Sequence, residues 1–191
     1  MIRAFTGLFL LVLVCLDLAK PCDTSELRKS GHLNIGVYIQ TTNIDEAIAF
    51  HQALHFWSNV LDMNWHRANV KSCTVALLDE PASAFDLHTA AFYRRSNGVI
   101  SFNPHFAFTK AEIYSVAVHE LGHAFGLADR PESIRANRLS FMRAGNNTGN
   151  ERLDRVDLTE LQKRHRLRSR TSTSQRNRHL SQRETMSLTG Y

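Results

Sequence analysis

Proline and glycine are scarce in this 191-residue chain, with 4 and 9 copies, and cysteine scarcer still, with 3. So little proline and glycine excludes a collagen or another fibrous repeat. Long apolar runs are also missing. The one pronounced stretch, Ala4 to Leu16 (AFTGLFLLVLVCL), falls short of the roughly 20 apolar residues that a membrane-spanning helix needs, which excludes a polytopic membrane protein. What is present, 43% apolar and 21% charged residues, is ordinary globular composition, long enough for one domain with a real core.

Acidic residues run out toward the C-terminus. Residues 162–191 hold eight Lys/Arg against the single acid Glu184, whereas the preceding 161 residues carry 15 basic and 17 acidic side chains. The net charge of +5 therefore belongs to the tail, and the body is slightly acidic. From Arg168 onward almost nothing apolar is available to bury, which predicts disorder. At the other end, Arg3 followed by the apolar stretch and Ala19 reads as a secretory signal. The expected organisation is a signal peptide over 1–20, an N-terminal segment over 21–32, a folded domain over 33–166 and a basic tail over 167–191. The expected product is a secreted monomer without an integral membrane span. Removal of the signal takes Cys15 with it and leaves Cys22 and Cys73. In an oxidising compartment a disulfide between them is the simplest expectation; the alternative is a buried Cys73 and a free Cys22.

Between these ends the pattern alternates. Residues 33–39 (LNIGVYI) and 73–78 (CTVALL) read as strands. Ala47, Phe50, Leu54, Trp57 and Leu61, with Ile44 and Ile48 alongside, recur at helical spacing and predict one apolar helix face. Segments 90–94 and 98–102 flank Asn97-Gly98 and predict a hairpin. Thr109 and Glu112 have capping-box spacing ahead of a second helix, and Asp157 and Glu160 repeat it ahead of a third. The fold class is α/β (α+β): a twisted mixed sheet with a long central helix and a C-terminal helix.

The chemistry concentrates in His119-Glu120-Leu121-Gly122-His123. Positions i and i+4 share one helix face, so both imidazoles can reach one metal ion, and Glu120 can serve as general base without being a ligand. A shuffled chain of this composition would contain the pentapeptide only ~2% of the time. Gly126 suits a helix end from which the chain turns back, and Asp129 stands three residues later as the candidate third ligand. Two alternatives stay open at this point. Asp129 could pair with Arg130, or the third ligand could be Glu132, Glu151 or Glu160. Met142, thirteen residues after Asp129, is placed to form an apolar floor beneath such a site.

These residues resemble the catalytic domain of a metzincin zinc endopeptidase, more narrowly a matrixin. The resemblance spans roughly 33–165: Phe56-Trp57-Ser58-Asn59 in the first helix, Val99-Ile100-Ser101-Phe102-Asn103 ahead of the active-site helix, Val116 to Leu127, the Met-turn at Met142, and Leu153 to Gln162. Aspartate in place of the third histidine is similar to the snapalysin family. Arg143-Ala144-Gly145-Asn146 replaces the matrixin Pro and Tyr after the Met-turn. The resemblance implies a zincin domain holding one catalytic zinc through His119, His123 and Asp129. It implies hydrolysis of protein or peptide substrates by a zinc-bound water, with Glu120 as general base. No ligand set for a structural calcium or a second zinc stands out; His88, His105 and Asp86 read as surface or core residues. The substrate is expected to lie extended beside the 90–94 segment. The rival reading is a secreted polyanion-binding protein with a decayed metzincin body, in which the basic tail makes the contact. Asn146-Asn147-Thr148 is an N-glycosylation sequon for a eukaryotic producer.

Overall fold

The central sheet has the strand order β2-β1-β3-β5-β4, with four strands parallel and the last antiparallel. The structure, a computed structural model, describes residues 22–131, 140–143 and 152–167. The signal segment, the tail and the sequon at Asn146 lie outside the described residues, as do Glu132 and Glu151. In chain order the elements are β1 (Leu33–Gln40), α1 (Ile44–Val60), β2 (Met63–Arg67), β3 (Val75–Leu78), β4 (Ala91–Arg94), β5 (Val99–Phe102), α2 (Lys110–Ala124) and α3 (Arg155–Arg164).

Alternation decides which face of β1 is covered. Leu33, Ile35 and Val37 are buried and meet Phe50, Leu54 and Trp57 of α1 and Leu121 of α2 in the main core. The Trp57 indole N–H donates to the Val118 carbonyl at 3.1 Å, tying α1 to the helix that carries the histidines. The opposite face is thinner, built from Cys22, Cys73, Ala76 and Val99. There a disulfide joins Cys22 to Cys73 across 51 residues. Closing a loop of that length removes about 4 kcal/mol of unfolded-chain entropy on a chain-entropy model. Among the described residues no helix is long and apolar enough to cross a membrane.

Three expectations are corrected. The expected face of α1 is buried at Phe50, Leu54, Trp57 and Leu61, but Ile44 and Ile48, placed alongside it, are exposed, and Glu46, Ala49 and Ala53 are buried in their stead. The strand β2 is an addition to the expected elements: its alternation, with Met63 buried, Asn64 exposed and Trp65 half-buried, spans too few residues to read alone, and parallel pairing to β1 holds it at the sheet edge. The helix α3 starts three residues earlier than predicted. Asp154 is its N-cap, and the capping box runs from Asp154 to Asp157 rather than from Asp157 to Glu160. At α2 the box between Thr109 and Glu112 is present, and Gly98 adopts φ +68° in the hairpin turn.

Glu46 stands out on the buried face of α1. Burial pushes its carboxyl pKa up and the Asp79 charge adds to this, against donors from Thr41 Oγ and Asn43 Nδ2 at 3.0 Å each. A carboxyl raised in the folded state favours folding below its unfolded pKa of about 4.3, and that contribution is lost as the pH rises through the folded value. Glu46→Gln, which keeps an acceptor and a donor for the same partners, is therefore expected to melt higher than the parent at pH 7. The gain should be on the order of 1–4 °C and should shrink toward pH 4. Thermal melts at both pH values measure it, and a lower melting temperature for the variant at pH 7 would contradict it.

Candidate metal centre

The helix α2 starts at a capped end and delivers His119 and His123 one turn apart on one face. Their Nε2 atoms lie 3.0 Å apart. The helix stops just beyond them. Gly126 takes φ +91°, a conformation that costs glycine little, and the Leu127 N–H closes back onto the Gly122 carbonyl at 2.9 Å. This turn brings the main chain round so that a short aspartate side chain suffices. Asp129 Oδ1 lies 3.3 Å from His119 Nε2 and 3.4 Å from His123 Nε2.

Hydrogen bonds on the far side of each ring fix the tautomers. His119 Nδ1 donates to the Phe141 carbonyl at 2.7 Å and His123 Nδ1 to the Leu127 carbonyl at 3.0 Å. With the Nδ1 protons so placed, both Nε2 lone pairs point inward beside a carboxylate oxygen. Three acceptor atoms this close repel one another unless a cation sits among them. The spacing also fits a cation. Ligand atoms at 2.0–2.1 Å from a tetrahedral ion lie roughly 3.3 Å from each other, close to the 3.0, 3.3 and 3.4 Å found here. His119, His123 and Asp129 thus form a group that could hold a metal ion, the one such group of three among the described residues.

The three groups also act strongly on one another's charge. When the rings are doubly protonated, His119 and then His123 donate through Nε2 to the Asp129 carboxyl and hold it well below the usual carboxylate range, against a smaller opposing effect of burial. For His123, burial favours the neutral ring, but the Asp129 carboxylate, the Leu127 carbonyl and the Glu120 charge together raise its pKa. Glu120 is 6% exposed. Burial pushes its carboxyl up and Asp129 adds to this, whereas the His119 and His123 rings and a backbone hydrogen bond from Tyr93 pull it down.

Tyr93 belongs to β4, the open edge of the sheet. The Asn103 N–H donates to the Ala90 carbonyl, and β4 pairs with β5 in the register Ala91 to Phe102. Two-residue alternation then assigns the bonded pairs to 92/101 and 94/99, so the main-chain groups of Ala91 and Tyr93 face away from the sheet. This outward edge of β4 therefore runs beside Glu120, which accepts the Tyr93 N–H.

Met142 is fully buried against α2. A Cβ built on Gly122 would collide with the Met142 Sδ and come within 3.3 Å of Trp57. Glycine between the two histidines thus lets the Met142 side chain lie directly under the helix.

Sequence reasoning missed the residues that hold these parts together. Arg130 donates through Nε to Asp157 Oδ1 at 3.2 Å and through Nη2 to Glu160 at 2.8 Å, while its N–H reaches the Met142 carbonyl at 2.6 Å. Ser140 Oγ donates to Asp157 Oδ2 at 2.7 Å and accepts from the Met142 N–H at 3.0 Å. Asp157 is fully buried. Through these bonds α3 clamps the residue after Asp129 and the turn whose Phe141 carbonyl orients His119. Both alternatives within the described residues are thereby corrected, since Arg130 pairs with Asp157 and Glu160 rather than with Asp129, and Glu160 is committed to Arg130. Asp86 caps a turn by accepting from the His88 and Thr89 N–H groups, and His88 and His105 are exposed.

No family model matches the chain, and no curated protein matches it.

Proposed function

We propose that this chain is a secreted zinc-dependent metalloendopeptidase with a metzincin-like fold, related in pattern to the matrixins and, through Asp129, to the snapalysins. The reading rests above all on one observation: His119, His123 and Asp129 converge to 3.0–3.4 Å with the buried Glu120 beside them. The Cys22–Cys73 disulfide supports an oxidising compartment. Two neutral imidazoles and a carboxylate suit zinc, although two histidines with one carboxylate also serve non-haem iron.

When bound, zinc would supply a Lewis acid that polarises the scissile carbonyl and makes water more acidic. The chain's own contribution begins with orientation. An extended peptide pairs with the outward main-chain groups of β4 other than the Tyr93 N–H, which Glu120 accepts, and presents its carbonyl beside Glu120. The Glu120 carboxylate accepts a proton from the attacking water, whose oxygen bonds to the carbonyl carbon. The same carboxyl then delivers that proton to the amine nitrogen as the C–N bond breaks. Burial, by raising the carboxyl toward the working pH, makes Glu120 a stronger base than an exposed glutamate.

Metal removal tests the reading. The purified protein is expected to contain one zinc per chain, to lose casein cleavage on treatment with phenanthroline, and to regain it when zinc is restored. Elemental analysis beside a cleavage assay measures all three. Cleavage that persists without metal, or recovery with iron and not with zinc, would overturn it.

A further inference from the structure

Four cations from three separated segments line one cavity of about 560 Å³. Arg28 ends a short 3-10 turn, Arg95 leaves β4, and Lys163 and Arg164 end α3. Tyr93 and Leu27 supply an apolar wall, and no aspartate or glutamate lines the space. Among the described residues none of the four takes part in an ion pair; the lysine and arginine pairs that do form belong to Lys29, Arg94, Arg130 and Arg166. The acids of the nearby N-terminal segment are engaged elsewhere. Asp23 accepts from the Ser25 N–H, and Glu26 accepts from Lys29 and from the Asn34 N–H.

A simpler explanation for such cations is the helix dipole, since α2 and α3 both end at this cavity. Its magnitude is too small. Each helix end carries roughly half a negative charge, so two ends offset about one of four positive charges. The end of α2 is partly satisfied already, because His165 Nε2 lies 2.9 Å from the Phe125 carbonyl. The cations also act on the wall they surround. Burial pushes the Tyr93 phenol up, and the fields of Arg95 and Arg28 pull against it. Arg164 is held in place: a Cβ on Gly126 would lie 2.9 Å from its Nη1, so the guanidinium packs against the glycine that ends α2.

We propose that this cavity, remote in chemistry from the His119–His123–Asp129 group, binds a ligand carrying two or more phosphate or sulfate groups. A volume in the range of small-molecule sites fits a ligand of sugar size better than a single inorganic ion. Forked guanidinium donors match tetrahedral oxyanions.

The test is binding to the full chain and needs no enzymatic activity, so its outcome is separate from that of the metallopeptidase reading. Fructose bisphosphate and a trisulfated heparin disaccharide are titrated by calorimetry against sodium chloride of matched ionic strength. Saturable binding at one site is expected for at least one of them. Phosphate as the natural group is indicated if the first alone binds, and sulfate if the second alone does. Arg95→Glu and Lys163→Glu, both at exposed positions, are each expected to weaken binding by about tenfold or more. A paired reversal in the tail, Arg176→Glu with Arg178→Glu, should leave it within about twofold. Heat no greater than that of the chloride control for both probes, or affinity undiminished in the two cavity variants, would overturn the proposal.

Discussion

Glu120→Gln is expected to lower kcat/KM for peptide cleavage by about 10²–10⁴-fold while zinc remains bound. Glutamine keeps the volume and the packing of a side chain that is only 6% exposed. It also leaves the three converging ligand atoms untouched, because the Glu120 carboxylate is not one of them. What it removes, on the proposed mechanism, is the ability to take a proton from water and return it to the leaving amine. Loss of a general base without loss of the metal is therefore the signature, and it separates catalysis from site assembly. Folding should not suffer, because the substitution takes a charge out of a buried position where burial already disfavours ionisation. Steady-state kinetics, zinc content and a thermal melt on the same preparation give the three readouts. Wild-type cleavage by the variant would remove Glu120 from the mechanism, and loss of zinc would move it into the ligand set.

Local signals in this chain were legible where one short segment decides its own conformation. Thr109 and Glu112 announced the start of α2 because a capping box needs only residues three apart. Asn97-Gly98 announced the hairpin because a left-handed glycine is a local requirement. The start of α3 shows where such reasoning fails. Asp154, Asp157 and Glu160 offer two overlapping boxes, and spacing cannot choose between them. The choice is made from outside the helix, where Asp157 is also bonded to Ser140 and Arg130, 17 and 27 residues away in the chain. Polar pairs of that separation leave no period to read. The same holds for Gly122, a helix-interior glycine that looks unfavourable until Met142 is placed against it. It holds for β2 as well, whose short alternation of Met63 and Trp65 with polar residues becomes a strand only through its pairing with β1. The convergence of His119, His123 and Asp129 was legible because i, i+4 spacing and a glycine-terminated helix are local. The clamp that keeps it in shape was not.

That clamp sets the expectation for Asp129→Ala. The Asp129 carboxyl is the third corner of the proposed ligand triangle, at 3.3 and 3.4 Å from the two imidazoles, while its neighbour Arg130 is anchored to Asp157, Glu160 and the Met142 carbonyl. Truncation at 129 therefore takes away a ligand without loosening the segment that carries it. Partners that merely orient ligands already cost 10–100-fold in metal affinity when removed, so loss of a ligand itself should weaken zinc binding by more than about 100-fold. Stability provides a second readout. A metal at a thousand times its dissociation constant stabilises the folded state by about 4 kcal/mol, so added zinc should raise the melting temperature of the parent and leave that of the variant nearly unmoved. In the presence of chelator the gap between the two should narrow to what the solvent-screened contacts of the 59% exposed Asp129 with the imidazoles contribute. Undiminished zinc affinity in Asp129→Ala would shift the third ligand to Glu132 or Glu151, and the geometry assembled at the end of α2 would then have to be explained without its carboxylate.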